Sequence, residues 1–188
     1  MLAENITHPV IDTPEGLSLL SLAFAPELAD QNIRALLSHL NGLTAHRFTG
    51  VYRFEHGWVV SVALWDRENP ATELGADVKM KESYCWLTGI SDTSYIIEDA
   101  VADPRLAKHA ARDEVRSYIA VLLRDKWQTP WGTLCHFDFN PRAVDHQALR
   151  RLEQFRPLVE EILVRDRRAN WDPEAPSLCA TVPTQRAD

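Results

Sequence analysis

The chain has 188 residues, of which 45% are hydrophobic and 25% charged. That is the size of one domain with tails and the composition of a globular protein, which excludes wholesale disorder and fibrous repeats. Lys and Arg total 20 against 27 Asp and Glu, a net charge of −7, the wrong sign for a protein that lives on nucleic-acid backbone or an anionic membrane.

Residues 1–25, broken by Pro9, Pro14 and Gly16, read as an N-terminal extension. From Pro26 the pattern is helical. Ala29, Ile33, Leu36, Leu37 and Leu40 fall on one stripe, and Asn41-Gly42 supplies a stop. In 47–55 the period shifts to two: Phe48, Gly50, Tyr52 and Phe54 alternate with Thr49, Val51 and Arg53, a strand with one face buried. His56-Gly57 is a tight turn into WVVSVALW (58–65), an apolar run expected of a central strand covered on both faces. DRENPATELG (66–75) is a loop and ADVKM (76–80) a short strand. ESYCWLTG (82–89) is a short helix with Gly89 past its end, and SYII (94–97) is a strand. Pro104 opens a second short helix, RLAKHAAR. SYIAVLL (117–123) and WGTLCHFDF (131–139) are strands around a turn flanked by Trp127 and Trp131. The closing helix begins near Asp145, which can cap it with Val144 packed on Leu149. Leu152, Phe155, Val159 and Ile162 form its stripe, and Pro157 lies inside it. Long helices at the ends and hairpins between them make an α+β fold, an antiparallel sheet covered by helices.

Three cysteines, Cys85, Cys135 and Cys179, are odd in number and lack zinc-finger spacing, so they read as reduced thiols in a cytoplasmic protein. The start, MLAENITHPVIDTPEG, has neither the basic residues nor the apolar stretch of a signal peptide. No apolar run approaches the ~20 residues of a membrane-spanning helix.

Residues 83–105, SYCWLTGISDTSYIIEDAVADPR, resemble the GAF pattern: a short helix with Ser-aromatic-Cys, a strand, then Asp-Ala-x-x-Asp-Pro-Arg. SYIAVLL, a turn, WGTLCHFDFNPR (131–142) and a helix complete the same order, so the resemblance spans 26–168, with 169–188 as a C-terminal tail. It implies a six-stranded antiparallel sheet with the terminal helices on one face and short helices roofing a pocket on the other. It also implies a small-molecule sensor in signal transduction that commonly forms a homodimer through its terminal helices. A stand-alone module of this kind passes its state to a signalling partner in trans or through homodimer rearrangement, with no nucleic-acid or membrane partner expected.

Three specialised branches can be weighed on residues. Phytochrome-type GAF domains attach a bilin through a Cys near the helix before the SYIAVLL-type strand. KHAARDEVR (108–116) has none there, so covalent bilin, or any other cofactor, is not expected. Free-methionine-(R)-sulfoxide reductases, also of GAF fold, need an attacking thiolate and a resolving thiol. Cys85 stands where that family carries one Cys, but 108–114 lacks the other and Cys135 lies in a strand. An enzyme using Cys85 is therefore the alternative rather than the expectation, and a dimerisation module without ligand is a third reading. The Asn-Lys…Phe…Asp-Glu motif of cyclic-nucleotide GAF domains cannot be placed.

The site residues follow from placement. Tyr84, Cys85 and Trp86 lie on the short helix, where one or two can wall a pocket and the others pack in the core. His136 and Asp138 are i, i+2 on a strand and share a face. With Cys135, Phe137 and Phe139 assigned to the terminal helices, the pair is expected toward the ligand. His109 and Arg112, i and i+3 before the SYIAVLL strand, offer donors to a ligand or a solvated face, and the Tyr118 hydroxyl reaches inward. Two placed ligands do not make a metal site. A second apolar strip, Leu158 and Leu163, is expected to serve the homodimer.

Overall fold

In the computed structural model of the chain, residues 29–125, 127–143 and 146–165 are described. The extension 1–25, the capping pair Val144 and Asp145, the tail from 169 and Cys179 all lie outside them.

Helix α1 (Ala29–Gly42) leads into the hairpin of β1 (Phe48–Glu55) and β2 (Trp58–Asp66). The turn is His56-Gly57, with φ of 48° and 85°, the left-handed pair that lets a two-residue turn follow the strand twist. A two-residue strand β3 (Val78–Lys79) pairs with the start of β2. Next come α2 (Tyr84–Ser91), β4 (Tyr95–Ile97), β5 (Ser117–Arg124), β6 (Pro130–Asp138) and α3 (His146–Arg165). The six strands form one sheet in the order β3-β2-β1-β6-β5-β4, every pairing antiparallel. The long connection after β2 is tied down by α1: the Arg34 guanidinium donates to the Leu64, Pro70 and Thr72 carbonyls.

Both long helices lie on the same face of the sheet. Ile33, Leu36, Leu37 and Leu40 of α1 and Leu152, Phe155, Val159 and Ile162 of α3 pack in one cluster with Val51, Ile119, Val121 and Leu134. Burying each such side chain contributes roughly 1.5–3 kcal/mol. α3 runs through Pro157 without ending. Leu163 is fully buried in that cluster and Leu158 packs against it, so the strip expected to serve a second copy is used inside the monomer.

Several local expectations change for physical reasons. β1 is a central strand between β2 and β6, so Thr49 and Val51 are as buried as their neighbours, and both its faces are covered. β2 is only half-buried along its length, and its apolar run reflects a bulge rather than a two-sided core. Register shifts between Val51 and Tyr52, whose partners are Ala63 and Ser61. The extra residue flips the alternation, so Val59 joins one side of the sheet and Ala63 the other. Gly89 does not end α2. It lies inside, where a Cβ would sit 3.0 Å from the Phe54 ring; Asp92, at φ 56°, ends the helix. The helix expected after Pro104 is two separate 3-10 turns, Pro104–Leu106 and Ala110–Asp113. Trp127 is exposed, whereas Trp131 packs partly on the main core.

Candidate functional site

The second face of the sheet carries a smaller core of Tyr52, Val59, Ile97, Tyr118, Ala120 and Cys135, roofed by Tyr84 and Cys85 of α2 and by Ala100 and Leu106. The start of α2 is placed by Ser83, whose hydroxyl accepts the Cys85 N–H at 3.1 Å and so satisfies an otherwise unpaired helix donor. One turn on, the Thr88 and Tyr118 hydroxyls meet at 3.3 Å and tie α2 to β5.

Between this roof and the sheet lies a cavity of about 290 Å³. Tyr52, Val59, Tyr118 and Phe137 form its sheet wall, Ser83, Tyr84 and Cys85 one side, and Ala110, Ala111 and Val115 the other, with Phe139, Glu82 and Glu114 also in the lining. The walls are mostly apolar and aromatic, with two carboxylates, the composition of a small-molecule pocket.

Beside the cavity are polar atoms without partners. The His109 ring lies 4.6 Å, centroid to centroid, from the Tyr84 ring. Its Nδ1 accepts the Ala111 N–H at 3.2 Å, so in the neutral ring the proton is on Nε2. That Nε2, the Tyr84 hydroxyl and the Arg112 Nε are buried and have no hydrogen-bond partner. Arg112 otherwise donates to the Val101 carbonyl at 2.6 Å and to Asp113 at 3.1 Å. Burial pushes the Tyr84 phenol up to about 12, against the pull of the Arg112 charge, and burial lowers His109. Tyr84 is therefore a neutral donor at physiological pH, beside a guanidinium and an imidazole N–H. Buried donors left unpaired cost about 1–3 kcal/mol each.

The expected site is thus only partly assembled. Tyr84, Cys85 and Tyr118 line the cavity, and His109 and Arg112 stand next to it through Tyr84. Trp86 is half-buried and not part of the lining. His136 and Asp138 are on the opposite face, which corrects the expected placement. The register pairs His136 with Thr49 of β1 and Ile119 of β5, both on the helix side, so Cys135 and Phe137 turn to the cavity. The reason is that both faces of β6 are roofed, so apolar character does not tell one from the other.

His136 and Asp138 do structural work where they are. Asn41 donates its amide to the Thr49 hydroxyl at 2.9 Å, and that hydroxyl is hydrogen-bonded to His136 Nδ1 at 2.8 Å. His46 stacks on His136 at 6.0 Å. Burial takes His46 down to about 4 and His136 to about 3, so both are neutral. Asp138 accepts from the Arg47 and Asn140 N–H groups and from Arg142 Nε at 2.7 Å. Burial would raise its carboxyl, but these donors hold it below the ordinary range. Tyr52, Phe137, Phe139, Glu82 and Glu114 were missed by sequence reasoning. Tyr52 had a signal, its alternation with Val51, but the two acids had none.

Cys85 and Cys135, both free and buried, are not isolated from each other. They belong to one buried cluster beneath α2, and Cys135 Sγ lies 3.6 Å from the Gly50 carbonyl oxygen. Neighbouring Cys135 holds Cys85 below the usual thiol range, while burial pushes Cys135 well up. Among the described residues no group of three or more His, Cys, Asp and Glu side chains is arranged to hold a metal, and no helix is long and apolar enough to cross a membrane.

No protein-family model and no curated sequence matches this chain, but solved structures do. A free methionine-R-sulfoxide reductase from Neisseria meningitidis, in complex with its substrate, superposes with a TM-score of 0.62 at 16% identity, over 80% of this chain and 86% of that one. The GAF domain of an Acinetobacter phosphoenolpyruvate-protein phosphotransferase gives 0.62 at 13% identity, over 82% and 94%. The phycocyanobilin-bound GAF domain of a cyanobacterial phytochrome gives 0.58 at 15%, over 79% and 93%. At these identities the likeness establishes the fold, and the fold hosts sensors and enzymes alike.

Proposed function

We propose that this GAF-fold chain is a small-molecule-binding sensor or regulatory module whose ligand occupies the cavity under α2. The bound state is passed to a signalling partner or through a second copy. The observation that carries this reading is the trio of unpartnered donors, Tyr84 hydroxyl, His109 Nε2 and Arg112 Nε, beside an aromatic-walled cavity. Such a set suits a ligand with a flat or apolar body and a hydrogen-bond acceptor at one end. Mass spectrometry of the natively purified protein, searched for a co-purifying molecule, identifies the ligand. Tyr84→Phe, His109→Ala and Arg112→Ala should then each weaken it by about 1–3 kcal/mol, roughly five- to hundredfold. Unchanged affinity in all three variants, with the fold intact by circular dichroism, would overturn the reading.

A second reading is a reductase of free methionine-(R)-sulfoxide using Cys85. It is favoured by one observation, Cys85 in the cavity wall with Cys135 in the same buried cluster, and by the fold it shares with the Neisseria enzyme. Turnover with thioredoxin or dithiothreitol as reductant, abolished by Cys85→Ser, would establish it; no turnover leaves the sensor.

A further inference from the structure

The cavity under α2 is lined by aromatic side chains from separate elements: Tyr52 of β1, Tyr84 of α2, Tyr118 of β5, Phe137 of β6 and Phe139 just beyond its end. These rings do not lie flat on one another. Tyr84 and Tyr118 meet at 56° with centroids 5.6 Å apart, and Tyr52 and Phe137 at 63° and 6.3 Å. A ring face is the negative part of the aromatic quadrupole and attracts a cation. Among the described residues, arginines lie over Trp65, Phe48 and Tyr95, and none lies over a ring that lines the cavity. The charges agree in sign. The only charged residues in the lining are Glu82 and Glu114. Both are exposed, so they stand where the cavity meets solvent. Lys79 faces Glu82 at 3.5 Å through side chains more than half exposed, a pairing that water weakens. Glu114 is in no ion pair among the described residues. Arg112 is outside the lining, and its guanidinium is engaged by the Val101 carbonyl and Asp113.

We infer that the ligand of this cavity is a small organic cation, with an ammonium group among the aromatic faces near Glu82 and Glu114 and a hydrogen-bond acceptor at its other end. This rests on the reading of the cavity as a ligand site and adds the sign of the ligand's charge. The volume of about 290 Å³ sets the size, at the small end of ligand pockets, which span about 300–1,000 Å³. The acceptor end belongs at Tyr84, which is 3% exposed and whose hydroxyl, like the neighbouring His109 Nε2, has no partner. An ammonium group entering the cavity exchanges part of its water for ring faces, and a cation–ring contact is stronger once desolvated. A purely anionic ligand would lose its water, find no cation in the lining and pass two like charges at the entrance. The wall therefore selects by sign of charge as well as by shape.

The test uses the full chain and two sets of probes, alike in shape and different in charge. One set is choline, neohexanol and the tert-butylacetate anion; the other is phenethylammonium, phenethyl alcohol and phenylacetate. Calorimetry at low salt should show a cation binding about tenfold or more tighter than its neutral and anionic counterparts. The preference should shrink as salt rises, because the carboxylates are exposed. Glu82→Gln combined with Glu114→Gln should weaken that cation about threefold or more and leave the neutral counterpart unchanged. Phe139→Leu, at a residue 44% exposed, keeps apolar bulk and removes one ring face, so it should weaken the cation and spare the neutral probe. A neutral or anionic probe that binds as tightly as its cation overturns the inference and leaves the cavity a ligand site. A cation whose affinity ignores all these substitutions overturns it too. If no probe binds at millimolar concentration the inference also fails, while the search for a co-purifying molecule decides the ligand-site reading separately. The wild-type panel decides even if a variant fails to fold.

Discussion

His136 Nδ1 lies 2.8 Å from Thr49 Oγ1, across the pairing of the two central strands. That one bond places His136 on the helix side of the sheet, in a polar pocket closed by Asn41 and His46, and turns its neighbour Cys135 toward the cavity. Four outcomes are expected from this and related contacts.

Stability should fall as pH drops from 6.5 toward 4. Burial lowers His46 to about 4 and His136 to about 3, against an ordinary 6.5. Below 6.5 the unfolded chain binds protons that the folded one refuses, so the stability present above 6.5 is lost as pH falls toward the folded values. At pH 5 each histidine accounts for about 2 kcal/mol. The carboxylates of Asp66 and Asp138 are held low, so their contribution is lost only below the ordinary 3.8. Urea midpoints between pH 7 and 4.5 check this. The slope should flatten in a His46→Gln, His136→Gln double variant, and an unchanged slope would refute the assignment.

Asp138→Ala should destabilise the fold without touching ligand affinity. Its carboxylate receives two backbone N–H groups and the Arg142 side chain, and losing those charge-assisted bonds costs about 1.5–3 kcal/mol. Denaturant unfolding measures the loss; a stable variant with weakened ligand binding would return Asp138 to the site.

Gly132→Ala should be severe and Gly42→Ala mild. A Cβ at Gly132 would lie 2.0 Å from the Tyr52 carbonyl oxygen and 2.8 Å from Arg53 Cα, backbone that cannot move without opening the β1–β6 ladder. The cost is about 3 kcal/mol or more. At Gly42, in the last position of α1, nothing stands within 4 Å, and alanine should gain about 0.4–1 kcal/mol by restricting the unfolded chain. Thermal melts of the two variants should therefore move in opposite directions.

Tyr84→Phe should stabilise the unliganded protein slightly. Its hydroxyl is buried with no partner, so removing it relieves an unsatisfied group worth about 1–3 kcal/mol. A lower melting temperature in the ligand-free variant would mean that the hydroxyl is already satisfied.

The order of elements was legible in the chain because it rests on local periodicity. The stripe of α1, the His56-Gly57 turn and the run SYIAVLL each answer to neighbours a few residues away, and the GAF-like order followed from them. The same local rules placed Tyr84 and Cys85 at the start of a helix and Tyr118 at the start of a strand, which is why those three reached the cavity. What local patterns could not decide was which face of β6 meets which layer. Both faces are covered, so Cys135, Phe137, His136 and Asp138 are equally compatible with either side until Thr49 and Ile119 supply partners from other strands. The bulge at Val51/Tyr52 is likewise a property of two strands together. That Cys85 and Cys135, 50 positions apart, share one buried cluster comes from packing α2 on the sheet. Spacing along the chain carries no trace of it, because the geometry that creates it exists only once the tertiary structure has formed.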